Sequence, residues 1–552
     1  MDSVTLTEAT TGIEPIPSYR PDEKTRRYDR QLRLWASAGQ KSLEQARILL
    51  LGPDATGCQS LKNLVLPGIS HFTVVSDAVA QPQDIATNFF LLPDSMGMSA
   101  AEETTRLLKE LNPSVEGCSR KANPSQLLKD DPEFFLSFTM ILSINSPPEF
   151  DLALSDLLWS ASNNESMEPD IPLIFVQNSG FIGKLRLQYR QHCIVDTHTD
   201  AAFTLRLDRP FQALMDYAKN LDMESMDSME HSHIPYVVLL VRALERFKAA
   251  GHSRVTYENM DAFKETLTSE RRALDEENFE EAEQQAFRLT NESEIPGSIK
   301  GLFATRQCRE ISSSSRNFWL LVHALRQYTS LPESDGLLPI SAALPDMKAS
   351  TKDYVNLQNL YKDKANADSR AFVDCLRNTL QSVGLDADSI EQEEISNFVK
   401  NCHWVQCIDG RSLREECESD VQEELIASAL GDGMHMNYYL AFRACEHFYG
   451  KNQRWPVSED DVAEVLQSIV VLQSIVPEIA RNLDYNADDN NLIENAVREV
   501  VRGGHGCLPT TSAFMGGIVA QEAIKLITAQ YVPLDNTCIV DLIKSSLEKY
   551  KL

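Results

Sequence analysis

The chain has 552 residues, 43% of them hydrophobic and 24% charged, and a net charge of −29 at pH 7. A chain of this length exceeds one hydrophobic core and predicts about three or four domains of ordinary globular composition. The acidity argues against nucleic acid and anionic membrane surfaces as partners and admits a basic protein.

Eleven cysteines are scattered with no C-x-x-C pair and no signal peptide ahead of them. They predict a reducing compartment and thiols that are mostly buried and structural; the location expected is the cytoplasm, with the nucleus as a second one. Cys402, His403 and Cys407 lie close together but match no usual zinc ligand spacing. No apolar run approaches the roughly 18 residues of a membrane span.

In chain order, residues 1–21 read as a loose tail. From Arg26 an arginine-rich helical lead-in follows. Tyr28, Leu32 and Trp35 fall on or near one face, with Leu34 beside it, and Arg30 and Arg33 lie on a neighbouring face. The default for such a pair is a solvated face. The sharper reading is an arginine presented to a phosphate on another chain, because the guanidinium fork matches phosphate oxygens.

Ala46–Leu51 reads as a buried parallel strand, followed by the turn GPDATG (52–57) and a helix carrying Leu61, Leu64 and Val65. A strand, a glycine turn and a helix N-terminus form the phosphate cradle of nucleotide folds, usually written G-x-G-x-x-G. Gly52 and Gly57 hold the outer positions and Asp54 holds the middle one. A side chain there blocks the close approach of phosphate to backbone, and a carboxylate repels it. The turn therefore reads as a mononucleotide-type fold that has lost its nucleotide, or as a plain strand-turn-helix with no ligand history.

His71–Ser76 is a second strand ending at Asp77, an acid placed to hold a ribose or, the favoured reading, to cap the next turn. Ile85–Leu92 is an apolar segment able to line an interface. Ser99–Leu111 is a helix with Ser99 as N-cap and Glu102 completing a capping box, stopped at Asn112-Pro113. Phe138–Ile144 and Ile171–Gln177 are strands with a helix, Leu152–Trp159, between them. The alternation predicts an α/β domain with a mostly parallel sheet. GKLRLQYR (183–190) alternates and reads as an edge strand or ribbon leading out.

Residues 210–495 are mainly helical: Tyr236–Ala249, Asp261–Leu289, Asn317–Tyr328, Asp353–Val383, Ser389–Lys400, Asp420–Leu430, Met434–Tyr449 and Asp460–Asn482. The acidic runs LDMESMDSMEH and LDEENFEEAEQ read as solvated faces, and His231-Ser232-His233 as a surface loop before Pro235, favoured over a metal-binding pair. Leu331–Asp346 is a loop. Gly503–Gly506 is a flexible turn. Thr511–Thr528 is an apolar helix whose Gly516-Gly517 would allow close approach, and Thr537–Leu542 is a strand. α/β character at both ends of a helical middle predicts one domain interrupted by an insertion.

YDRQLRLW (28–35), the altered GPDATG turn, KNLVLPGI and NFF together resemble the activating enzymes of ubiquitin-like modifiers. HSHIPY (231–236), DEENFEEA (275–282), LPDM (344–347), YVNLQNLYKDKA (354–365) and FMGGIVAQEAIKLIT (514–528) narrow the resemblance to the regulatory subunits of the heterodimeric enzymes of neddylation.

The resemblance implies an α/β, Rossmann-like (ThiF/MoeB-type) pseudo-adenylation domain. It would span 22–185 and 501–552, interrupted by a mainly helical insertion at 186–500. It implies a heterodimer whose catalytic subunit binds ATP and magnesium, adenylates the modifier's C-terminus, and passes it as a thioester to a conjugating enzyme. Active halves keep the full glycine turn, an Asp-x-Asp after the second strand and an Asn-x-x-Arg. Here Asp54 replaces glycine, Ser76-Asp77-Ala78-Val79 keeps one acid, and Asn88-Phe89-Phe90-Leu91 ends in leucine.

The family's inactive half sends one arginine into the partner's ATP phosphates, and Arg30 stands at that position. No cysteine lies in the family's Pro-x-Cys-Thr context, so no catalytic residue, no metal ligand and no complete active site is expected in this chain, and no cofactor bound by it alone. A pure scaffold, a regulatory half for another ubiquitin-like modifier, and an autonomous nucleotide enzyme are the competing readings.

Overall fold

The computed structural model describes residues 22–161, 170–197, 204–418, 434–474 and 487–552. Expectations for the tail at 1–21 and for a helix at Asp420–Leu430 lie outside these residues.

A lead-in helix, α1 (Asp29–Leu43), is broken at Ala36, whose φ is 54°. Strand β1 (Arg47–Leu51) enters helix α2 (Ala55–Val65) through the glycine turn, and β2 (His71–Val75) follows. Helix α3 (Ala100–Lys109) starts at Ser99, whose hydroxyl accepts the Glu102 N–H. Then come β3 (Glu116–Arg120), β4 (Met140–Ile144), helix α4 (Pro148–Ala161), β5 (Leu173–Ser179), β6 (Ile182–Gln188) and β7 (Gln191–Val195).

The insertion carries α5 (Tyr236–Ala249), α6 (Asn317–Tyr328), the long α7 (Thr351–Ser382) and then β8 (Val405–Asp409). The return passes through α8 (His435–Asn452), α9 (Glu459–Ser474), α10 (Ala487–Gly503) and α11 (Pro509–Thr528) to β9 (Thr537–Asp541) and β10 (Ser546–Tyr550).

Eight strands form one sheet in the order β10-β9-β6-β5-β4-β1-β2-β3, and β7 pairs with β8 in a separate ribbon. Strands β1 to β5 run parallel; β6, β9 and β10 join antiparallel. This is the mixed α/β sheet of a Rossmann-like fold. Ile48 and Leu50 face a core shared with α2 and α11, whereas Leu49 and Leu51 face Phe150 and Leu154 of α4. Burial on both faces is why β1 reads as an unbroken apolar run.

Helix α11 lies on α2. A Cβ at Gly516 would sit 2.6 Å from that of Gln59, so the glycine is what lets the helices touch, while Gly517 faces open space. Tyr28 anchors the lead-in: Asn112 Nδ2 donates to its hydroxyl at 3.0 Å, and Gly68, at φ 92°, clears its ring.

The sheet corrects the reading of GKLRLQYR. Strand β6 is no edge: it is paired on both sides and buried along its whole length. Lys184 and Arg186 alternate with apolar neighbours, as on a solvated strand, but helices cover that face and supply the counter-charges. Lys184 meets Glu446 at 2.6 Å, and Arg186 pairs with Glu416. The ribbon leading out is β7.

Asp261–Leu289 is likewise not one helix. It is split into Met260–Thr268 and Glu277–Gln285, followed by a short 3-10 turn. His231 is buried rather than in a surface loop: its Nδ1 lies 2.6 Å from Glu276, and its ring stacks on Phe279. Glu276 is thus one acid of its run that faces inward. The turn at Gly503 is packed, not free, since a Cβ there would lie 2.3 Å from Ser179 Oγ. No helix among the described residues is long and apolar enough to cross a membrane.

Candidate functional site: a plugged crevice and an exposed arginine

In a sheet of this order the nucleotide crevice lies beyond the C-terminal ends of β1 and β4, where the strand order reverses. The glycine turn sits there. Gly52 has φ 83°, and a Cβ on it would lie 2.3 Å from the Ile144 carbonyl oxygen; a Cβ on Gly57 would lie 2.5 Å from the Gly52 oxygen. Both outer glycines are required by backbone packing alone, whether or not a phosphate is ever held.

Asp54 does more than obstruct. It is the N-cap of α2, and its Oδ1 accepts the Gly57 N–H at 2.9 Å. Its Oδ2 accepts Asn145 Nδ2 at 2.7 Å and the Cys507 thiol at 3.2 Å. Burial pushes the Asp54 carboxyl up, and the bonds from Gly57, Cys507 and Asn145 pull it part of the way back. Burial, and then the Asp54 charge, push the Cys507 thiol up, so it is the donor of the pair. A helix N-terminus that would attract a phosphate is satisfied by a carboxylate of the chain itself.

The plug continues inward. The Asn145 side-chain oxygen accepts the Asn178 N–H at 2.9 Å, Asn178 Nδ2 reaches the Thr56 hydroxyl, and Thr56 donates to Ser512 at 3.0 Å. Sequence reasoning missed Asn145, Asn178 and Cys507. The signal available was Asp54 itself, since a carboxylate at a buried turn requires donors.

The Asn-x-x-Arg position has also turned inward. Asn88, 3% exposed, donates to the Pro53 carbonyl at 3.4 Å and accepts the Phe90 N–H at 2.9 Å. Leu91 is buried, with its backbone N–H bonded to the Asn88 carbonyl. Asp77 accepts Asn123 Nδ2 at 3.0 Å, tying down the loop before the next helix. The cap of its own turn is Ser76, whose hydroxyl accepts the Ala78 N–H at 3.1 Å, so the expected turn-capping role falls to the neighbour. These residues do not fit a nucleotide in this crevice: the carboxylate occupies the anion position and the gripping arginine is absent.

The two lead-in arginines differ. Arg33 is held by Asp29 at 3.1 Å. Arg30 is exposed, and its side chain makes no hydrogen bond or ion pair among the described residues. Close by in sequence, Leu34 is half exposed. A second exposed apolar group comes from Phe89, at 82%, with Leu92, Met96 and Met98.

Comparison with known proteins agrees with this architecture. The model of the ThiF family matches residues 28–552. The NEDD8-activating enzyme E1 regulatory subunit of Danio rerio is 34% identical over 542 residues, covering 96% of this chain and 99% of the relative. The Nedd8-activating enzyme E1 regulatory subunit of Drosophila melanogaster is 33% identical, over 96% of this chain and 98% of its own length. The NEDD8-activating enzyme E1 regulatory subunit AXR1 of Arabidopsis thaliana is 32% identical, over 96% and 97%. The chain belongs to the ThiF family and, within it, to the NEDD8-activating enzyme E1 regulatory subunits.

Proposed function

We propose that this chain pairs with a catalytic subunit. Together the two would adenylate the C-terminal carboxylate of a NEDD8-type modifier with ATP and magnesium, and then pass it as a thioester to a conjugating enzyme. ATP and magnesium belong to the partner's site in this reading, and so does the nucleophilic cysteine. This chain contributes Arg30, which reaches across to the phosphates and neutralises the charge that develops as pyrophosphate leaves, an electrostatic role with no covalent step.

The observation that carries the reading is one contrast. The chain's own anion position is filled by Asp54, while Arg30 is exposed with nothing in the described chain to neutralise it. The exposed apolar group around Phe89 offers surface for a protein partner. The ten cysteines whose side chains are described are free thiols, which supports a reducing compartment such as the cytoplasm.

The test is Arg30→Ala, purified with the catalytic partner. The heterodimer is expected to assemble as before, and modifier-dependent pyrophosphate exchange to fall on the order of 10³-fold, as for loss of a transition-state arginine. Unchanged exchange would remove Arg30 from the chemistry and leave the chain a scaffold. Loss of assembly would make Arg30 an interface residue instead.

A further inference from the structure

The larger part of the insertion, between β7 and β8, leaves and returns through one ribbon. Strand β7 carries the chain out and β8 brings it back, paired antiparallel with Cys193 directly opposite Cys407. Flanking backbone bonds set the phase of the ladder. The Gly410 N–H donates to the Arg190 carbonyl at 3.0 Å, and the Asp196 N–H donates to that of Trp404 at 3.3 Å. Hydrogen-bonded pairs alternate along such a ladder, so Cys193 and Cys407 form one of the pairs without mutual backbone bonds. In those pairs the Cα atoms approach to about 4.5 Å, within the range a disulfide spans.

The sulfurs are 3.6 Å apart, in a thiol–thiol contact that no other cysteine pair makes among the described residues. Both side chains are partly exposed. Contact with Cys193, and then burial, push the Cys407 thiol up. Arg316 sits beside the pair, anchored to the Gln191 carbonyl at 3.3 Å.

We propose that Cys193 and Cys407 are an oxidative modification site: a peroxide converts them to a disulfide that clasps the neck of the insertion. Cys193 gives up its thiol proton and attacks hydrogen peroxide, an S–O bond forms, the O–O bond breaks, and the departing hydroxide takes up that proton and leaves as water. Cys407 then attacks the sulfenic sulfur. The S–S bond forms, the S–O bond breaks, and the departing hydroxide takes the thiol proton as a second water. Two thiols are oxidised by two electrons and one peroxide is reduced by two. The cysteines are 214 positions apart, so the bond joins the two strands that bracket the stretch between β7 and β8.

The experiment treats the full chain with graded hydrogen peroxide, blocks free thiols with N-ethylmaleimide, and maps peptides by mass without reductant. The expected result is a Cys193–Cys407 cross-linked peptide pair lighter by two hydrogens, formed at lower peroxide than any other disulfide and reversed by dithiothreitol. After limited trypsin cleavage within the insertion, the fragments are expected to stay joined until reduced. Cys193→Ser and Cys407→Ser should each abolish the cross-link; if either misfolds, the wild-type map decides alone. Recovery of both residues as maleimide adducts, their conversion to sulfinic acid with no cross-link, or pairing of either with another cysteine would overturn the proposal. Cys118, exposed and without a thiol neighbour among the described residues, serves as the internal control for simple reactivity.

Discussion

At Asp54 one side chain does two things. It removes the room a phosphate needs, and it replaces the phosphate as the anion at the start of α2. Asp54→Ala is expected to cost about 2–4 kcal/mol of stability, the usual loss for an N-cap plus that of leaving the Asn145 and Cys507 donors without their acceptor. Asp54→Asn keeps an acceptor for the Gly57 N–H but sets an amide N–H against those two donors, and should fall between that variant and the wild type. Denaturant unfolding of the two variants checks this. Neither variant is expected to gain ATP binding, because Leu91 stays buried where a gripping arginine would be needed. The damage at residues 54 and 91, and in 76–79 where one acid of two is kept, is legible in the sequence, because each departs from a pattern whose chemistry is known. The plug is not legible, since Asn145 and Cys507 reach Asp54 from 91 and 453 positions away.

At the scale of elements, the apolar runs that became β1, β2, β4 and β5 were readable because burial on both faces leaves no other use for them. Strand β6 was misread because its charges obey the alternation of a solvated strand, and only the helices packed on it reveal otherwise. In that network burial pushes the Glu416 carboxyl up, but Arg186, Arg443 and Lys184 more than offset it and hold it below its ordinary value. Tyr439 adds a hydrogen bond at 2.8 Å. Glu416→Gln should cost about 3–5 kcal/mol, since it leaves Arg186 charged and 1% exposed. Thermal unfolding would report it, and a loss below about 1 kcal/mol would mean that the pair is already open to water.

On α4, Asp151 is buried with its carboxyl 2.6 Å from the Ser143 hydroxyl, and burial raises it to about 7. Because the folded value lies above the unfolded one, its contribution is complete in acid below about pH 4 and is lost as pH rises through about 7. Asp151→Asn is therefore expected to gain on the wild type by about 1.4 kcal/mol per pH unit across that window and to hold a constant advantage above it. Urea melts at a series of pH values measure the difference, and parallel curves would contradict the assignment.

Across the whole molecule, the α/β body is assembled from both ends of the chain. Strand β9 from the C-terminal segment pairs with β6, α11 lies on α2, and the loop at Cys507 closes the nucleotide crevice. The return to α/β character was legible in the sequence. Closure of the crevice by that return was not, because no local pattern marks a loop that packs across the sheet. The body thus keeps a Rossmann-like fold while its own anion site is taken, and the helical stretch between β7 and β8 is joined to it by the β7–β8 ribbon and by Lys41, which pairs with Glu391 at 2.7 Å.

The most direct test of this account is ATP binding by calorimetry, on the purified chain alone and then mixed with the catalytic subunit, alongside modifier-dependent pyrophosphate exchange. No heat of binding from the chain alone, with binding and exchange in the mixture, is the expected result. Tight ATP binding by the chain alone would contradict the account, because the Asp54 side chain would then have to leave the Gly57 N–H to a phosphate.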